Sequence, residues 1–250
     1  MTTLFISDLH LQPNRPELTE ALLRLLDTQG ASLSKLFILG DLFEYWIGDD
    51  GIQPWQQPVL ERLRALKEAG CQVYFQHGNR DFLIGERFAS LTGAELLPEE
   101  YATEINHVPV LIMHGDSLCT RDAAYMAFRA QSRSPQWQAQ ILAMPLPERI
   151  KLAQSLREQS KEASSNKAED IMDVTPEEVD NALARHNAAV MIHGHTHRPA
   201  RHPLSNDAER IVLGDWDRFG WGLWIEPDTQ PQDWQMIRFE LSTLEPVETL

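Results

Sequence analysis

Short runs of apolar and β-branched residues recur through the first half of the chain at 3–7, 35–39, 72–76 and 110–113. Each is long enough for a buried strand and too short for a helix. Between them, 17–26 and 58–69 carry apolar residues at three-and-four spacing, which predicts amphipathic helices. Pro16 and Pro58 stand near their starts, and Gly30 and Gly70 lie just past their ends. The alternation predicts a layered α/β architecture. Further strands are expected at 189–192, 210–213, 222–225 and 235–239, with few helices between them, so an antiparallel portion or a second sheet should follow. Residues 120–172 break the rhythm: they hold no strand pattern and read as successive helices interrupted at Pro135, Pro145 and Pro147. Within them Leu142, Met144, Leu146, Ile150, Leu152 and Leu156 supply an apolar face, with Arg149, Lys151 and Arg157 interleaved. That combination predicts an apolar lining with a cationic rim. Residues 241–250 read as a frayed tail.

Composition narrows the class. With 42% hydrophobic and 24% charged residues the chain is globular. A net charge of −15 argues against a general DNA or RNA binder, which needs Lys and Arg on phosphates. The charge is uneven. From Arg121 to Lys167 eight basic residues face four acidic ones, an excess that could meet an anionic ligand or simply be solvated. Cys71 and Cys119 match no zinc or redox spacing and are expected as buried thiols in a reducing compartment. No run reaches the length of a membrane span, and the amino terminus lacks a signal-peptide pattern, so a cytosolic protein is expected.

The chemistry lies in five short motifs that each follow an apolar run: Asp8 with His10; Gly40 and Asp41; Gly78, Asn79, Arg80 and Asp81; His114, Gly115 and Asp116; and His193, Gly194, His195, Thr196 and His197. Singly, most are more readily a turn or a packed side chain; the 78–81 motif is evenly balanced between turn and ligand, and the three closely spaced histidines favour metal binding. Jointly they share one context, the carboxyl ends of strands, which converge on a common crevice in open α/β sheets. Asp8, His10, Asp41, Asn79, His114, His195 and His197 form a set of oxygen and imidazole donors without thiolate, suited to Mn, Fe, Co or Zn. Seven donors exceed one tetrahedral ion and fit two ions about 3.5–4 Å apart that share a carboxylate. Against two dications, Asp8 and Asp41 leave a positive surplus able to hold phosphoryl oxygens and acidify a water. Asp81, Asp116 and His193 are expected to orient ligands or to pack. Asp49 and Asp50 are expected to solvate a loop. Trp46 and Phe82 are candidates for an apolar mouth or for core, and Trp216, Trp221 and Trp224 for packing of the later sheet.

The five motifs resemble the signature of the calcineurin-like metallophosphoesterases over residues 3 to about 225. Where that superfamily usually has His after its third-motif Asn, this chain has Arg80, which cannot act as a general acid near neutral pH but can clamp phosphate oxygens. The stretches at 40–50, 77–85, 111–125, 160–174 and 192–200 are more specifically similar to the UDP-2,3-diacylglucosamine pyrophosphatases of lipid A biosynthesis. The resemblance implies a layered β-sandwich flanked by helices, with a core at 1–119 and 173–240 and a helical cap, or lid, inserted at 120–172. It implies hydrolysis of UDP-2,3-diacylglucosamine to UMP and 2,3-diacylglucosamine 1-phosphate, by water attack on the phosphorus nearer uridine. Two divalent ions, expected as Mn2+, would sit on Asp8, His10, Asp41 and His197, and on Asp41, Asn79, His114 and His195. Asn79, Arg80, Asp122, Ser160, Ser164, Lys167 and His195 match substrate-contacting positions, with Arg80, Asn79 and His195 the catalytic candidates. Relatives often carry Asn where this chain has Ser164; here Asn166 follows two residues later. A lipid-linked substrate also implies peripheral contact with the cytoplasmic face of the inner membrane. The rival expectations are another dinuclear phosphoesterase, such as a dinucleoside polyphosphate hydrolase or phosphoprotein phosphatase, and a scaffold that has lost its metals.

Overall fold

The computed structural model describes residues 1–165 and 171–250, with side chains left out at 161–165 and 206. Two sheets stack face to face. In the first, β1 (Thr2–Ile6), β2 (Leu33–Ile38), β3 (Gln72–Phe75) and the short β4 (Glu95–Leu96) run parallel, as buried strands joined through helices must. The sheet continues past β1 through β10 (Phe219–Ile225), β11 (Gln235–Glu240) and β12 (Pro246–Thr249), all antiparallel. The second sheet has the order β5 (Tyr101–Ile105), β6 (Val108–Ile112), β7 (Val190–His193), β9 (Glu209–Val212), β8 (Ala200–Pro203). β6, β7 and β9 are parallel, and β5 and β8 close the edges antiparallel. The expected second sheet and the expected antiparallel portion are both present.

Period-two alternation divides the side chains between layers. Phe5, Phe37, Val110, Ile192, Ile211 and Leu223 meet between the sheets, whereas Leu4, Leu36 and Ile38 point the other way onto α1 (Pro16–Gln29) and α2 (Gln57–Glu68). Phe5, Phe37 and Tyr74 stack across three neighbouring strands with centroids 4.6 and 4.5 Å apart. The outer face of the second sheet, through Leu111 and Met191, packs with Val179, Ala182 and Leu183 of α7 (Pro176–His186).

Several elements escape the hydrophobic pattern. β5 alternates half-buried and exposed residues and is joined to β6 by Asn106 and His107, both left-handed, the geometry of a tight hairpin turn. Residues 241–250 are not a loose tail: β12 pairs with β11, and Leu250 and Met236 exchange backbone bonds of 2.8 and 3.2 Å. A further helix, α3 (Glu86–Thr92), follows the third motif. Asp49 is not a loop solvator either. Its carboxylate accepts from the amides of Gly85, Arg87 and Phe88 and so caps the start of α3, while Trp46 Nε1 donates to it at 3.0 Å.

Three helices lie between β6 and α7, as the 120–172 segment predicts: α4 (Ala123–Ser132), α5 (Pro135–Leu142) and α6 (Leu146–Ser165). Asp122 caps α4 by accepting from Tyr125 N, and Ser134 caps α5 with Pro135 in its first turn. Only Ser132 is buried in α4, and no residue is buried in α5. Hydrophobic burial therefore contributes little to seating these two helices.

Candidate active site

Each ligand candidate stands on a turn at the carboxyl end of a parallel strand: Asp8 and His10 after β1, Asp41 after β2, Asn79 after β3, His114 after β6, His195 and His197 after β7. Because both sheets deliver strand ends to the same side, the turns meet across the sandwich. Backbone bonds braid them: Asp8 N donates to Gly40 O at 3.1 Å, His10 N to Asp41 O at 2.9 Å, and Gly194 N to His114 O at 2.9 Å. Asp8, His10, Asp41, His195 and His197 all have left-handed backbones, with φ between 49° and 65°. Such conformations are uncommon for residues other than Gly and persist where surrounding structure enforces them. A Cβ at Gly78 would run into the backbone and carboxylate of Asp41, and one at Gly194 into Ser7 and Asp8, so the close approach of the turns requires glycine.

The donor atoms converge. His197 Nε2 lies 3.4 Å from Asp8 Oδ1 and 3.3 Å from His10 Nε2. His10 Nε2 lies 3.9 Å from Asp41 Oδ2, and His114 Nε2 is 3.8 Å from Asp41 Oδ1. Asn79 Oδ1 faces both His114 Nε2, at 3.0 Å, and His195 Nδ1, at 2.8 Å. Asp8 and Asp41 are buried, and Asp8 Oδ1 has no hydrogen-bond partner. Burial opposes charge on Asp8, yet the His197 contact and neighbouring imidazoles hold its carboxyl well below the usual range. Desolvation of the ring face turned to the cluster opposes charge on His197, whose other side is exposed, but the Asp8 carboxylate beside it dominates and lifts it to about 9. Desolvation in the crowded cluster and the nearby His114 push the half-buried His195 down to about 3. The place favours cations, and its hard and borderline donors fit divalent ions. One group, Asp8, His10 and His197, and another, Asp8, Asp41 and His114, are each compact enough to hold an ion.

Buried carboxylates brace the turns. Asp81 accepts from Gly78 N, Asp41 N and Leu42 N, which fixes the second and third motifs against each other; burial and the nearby Asp41 raise it to about 7. Asp116 accepts from Tyr125 Oη at 2.7 Å and Arg129 Nε at 2.8 Å and so ties α4 to the His114 turn. His193 is fully buried and is pushed down to about 3 by burial and by Arg210, consistent with a packing role.

Beside the donors lies a cavity of about 330 Å3. Asn79 and Arg80 line it next to the metal-donor cluster, with Asp122 and Ser160, while Trp46, Phe82, Phe128, Trp137, Ile141, Leu152 and Leu156 make it apolar. Arg80 Nε is buried and without a hydrogen-bond partner. His195 reaches Asn79 but is not part of this lining. Lys167 and Asn166 lie outside the described residues, and the Ser164 side chain is not described. The expected cationic rim takes a different form. Arg149 is 4% exposed and binds Ile47 O, Met144 O and Asp50, and Arg157 pairs with Glu44. Arg121, Arg129 and Arg133 also pair with Glu177, Glu99 or Asp116. These cations hold the cap onto core carboxylates. Sequence reasoning missed Glu44 and Tyr125, which lie inside or beside the motifs and carry no spacing signal of their own.

The model of the calcineurin-like phosphoesterase family matches residues 1–199. The chain belongs to the calcineurin-like phosphoesterases. Among curated relatives of this phosphoesterase, the UDP-2,3-diacylglucosamine hydrolase of Chromohalobacter salexigens is 51% identical over 93% of this chain and 96% of its own. That of Pseudomonas aeruginosa is 49% identical over 93% and 98%. Solved structures share the fold at low identity. An archaeal phosphodiesterase matches at 11% with TM-score 0.51, over 96% of this chain and 100% of its own. Vacuolar protein sorting 29 from Cryptosporidium parvum matches at 12% with TM-score 0.50, over 100% and 95%.

Proposed function

We propose that this phosphoesterase hydrolyses the pyrophosphate bond of UDP-2,3-diacylglucosamine, releasing UMP and 2,3-diacylglucosamine 1-phosphate. The observation that carries this reading is the junction at Asn79 and Arg80, where a cluster of metal donors meets a capped apolar cavity. The name shared by relatives near 50% identity favours it over a dinucleoside polyphosphate hydrolase, a phosphoprotein phosphatase or a scaffold. Asp8, His10, Asp41 and His197 would hold one divalent ion, and Asp41, Asn79, His114 and His195 a second. Mn2+ suits these donors, and the pair would supply Lewis-acid polarisation of the phosphoryl oxygens and a more acidic attacking water.

The chain's own residues do the rest. Arg80 offers a buried, unpartnered Nε to the diphosphate and neutralises charge on the leaving lipid phosphate. Asn79 and His195 orient the phosphoryl group from the donor side. Asp122 and Ser160 offer acceptors and a hydroxyl to the sugar, with Ser164 and Lys167 as further contacts. Trp46, Phe82, Phe128 and Leu156 exclude water and bind acyl chain. The substrate's two acyl chains would bring the enzyme to the cytoplasmic face of the inner membrane as a peripheral protein; no helix among the described residues is long and apolar enough to cross it. Turnover in oxygen-18 water is the test. The label is expected in UMP, from attack at the phosphorus nearer uridine. Label in the lipid phosphate would reverse the substrate's orientation, and an absence of UMP would overturn the reading.

A further inference from the structure

Glu44 occupies a position that the proposed chemistry does not use. Its backbone amide donates to Leu11 O at 3.1 Å, which pins it to the turn carrying Asp8 and His10. Its carboxylate belongs to a residue only 7% exposed and divides between two partners. Oε2 lies 3.2 Å from His10 Nδ1, and Oε1 meets the Nε of Arg157 on α6. The opposite nitrogen of the same imidazole, His10 Nε2, faces His197 Nε2 at 3.3 Å, Asp41 Oδ2 at 3.9 Å and Asp8 Oδ1 at 4.0 Å. A neutral imidazole carries one proton. Nδ1 makes no aligned hydrogen bond, so the carboxylate acts on it through its charge at 3.2 Å, favouring the proton on that nitrogen and leaving the Nε2 lone pair directed into the donor cluster.

We propose that Glu44 is a positioning residue that joins the cap to the metal centre: one oxygen fixes His10 for metal binding, and the other seats α6 through Arg157. The proposal rests on His10 being a metal ligand. Arg157 lies eight residues beyond Arg149, about 12 Å along the helix, so α6 is held at two separated points, one on the Asp50 loop and one on the metal turn. Without Arg157 the Glu44 carboxylate loses its partner on α6 and can turn away from Nδ1. Coupling of this kind is reciprocal: a seated α6 tightens metal binding, and bound metal steadies α6 by the same factor.

The experiment measures Mn2+ affinity of the full chain by calorimetry and amide exchange of α6 with and without Mn2+. Glu44→Gln is expected to weaken Mn2+ binding about 10–100-fold. Arg157→Ala, which touches no metal donor, is expected to weaken it about fivefold or more, with partial rescue in Arg157→Lys. In the wild type Mn2+ should slow exchange in α6, and in both Glu44→Gln and Arg157→Ala that slowing should be lost. If Glu44→Gln does not fold, the Arg157 variants carry the test alone. Wild-type Mn2+ affinity in Arg157→Ala, or α6 exchange indifferent to Mn2+, would overturn the coupling. Wild-type affinity in His10→Ala would overturn it for a different reason, by removing His10 from the ligand set.

Discussion

At the scale of single residues, the site is made from side chains whose backbones adopt conformations that other residues avoid. Five of the seven donors sit at positive φ, and each is Asp or His, types that tolerate that region better than most. A left-handed residue two to four positions past a strand end turns the chain sharply, so its side chain faces the opposing turn instead of continuing the pleat. The two cysteines show the opposite behaviour, with burial the leading influence on both. Burial pushes the Cys71 thiol up to about 11, and burial with Asp116, Asp173 and Asp122 nearby pushes Cys119 up to about 12. The ordinary thiol value is 9.0, so the unfolded chain ionises first as pH rises. The thiols' contribution to stability is therefore full below about pH 8 and is lost progressively as pH climbs through the folded values. Native protein at pH 8 is expected to react with iodoacetamide at least about 100-fold more slowly than urea-unfolded protein. The Cys71→Ala, Cys119→Ala double variant should lose less stability between about pH 9 and 11. Equal alkylation rates for native and unfolded protein would refute the assignment.

At the scale of elements, the cap is docked by charge where the sandwich is docked by apolar burial. α4 is tied through Arg129 to Asp116, and α6 through Arg149 to Asp50 and Arg157 to Glu44. Arg149 also satisfies the carbonyls of Ile47 and Met144 at 2.6 and 2.9 Å. Leaving a buried acceptor unpaired costs about 1–3 kcal/mol, enough to loosen one of the two points that hold α6. Arg149→Ala is expected to raise amide exchange in α6 about 10–100-fold and to increase KM, while exchange in β1, β2 and β7 stays slow. Unchanged exchange in α6 would show that the cap is held by other contacts.

At the scale of the molecule, a two-sheet body presents candidate metal donors on one side of a junction, and the helices α4 to α6 help to line an apolar cavity on the other. The division suits a substrate that is anionic at one end and hydrocarbon at the other. In the proposed reaction, binding energy from the remote chains would position the diphosphate as well as retain it. Burying only four methylenes at about 0.8 kcal/mol each corresponds to about 200-fold. Removal of both acyl chains is therefore expected to lower kcat/KM by at least about 100-fold, measured by UMP release. In a variant whose 120–172 segment is replaced by a short linker, acylated and deacylated substrates should be cleaved at similar low rates. If that variant still prefers the acylated substrate, the chains bind the core and not the cap.

Most strands, the helices α1, α2 and α4 to α6, and the strand-end residues that the turns bring together are legible in the amino-acid order, because they follow local rules. Apolar runs mark β1, β2, β3, β6, β7, β9, β10 and β11 to within a few residues. Strand-end motifs name the residues that the fold collects, since every parallel strand delivers its carboxyl end to the same side of the sandwich. The edge strands β4, β5, β8 and β12 are not legible, because they bury too little to need an apolar pattern. Where the charge goes is a matter of the folded chain. The basic excess of the cap reads in sequence as a surface for an anion, yet Arg121, Arg129, Arg133, Arg149 and Arg157 all turn onto carboxylates from other segments. A cation's partner is set by long-range packing, which leaves no periodic trace in the chain. For the same reason Glu44, one acidic residue beside apolar neighbours, becomes visible only when the fold brings His10 to one of its oxygens and Arg157 to the other.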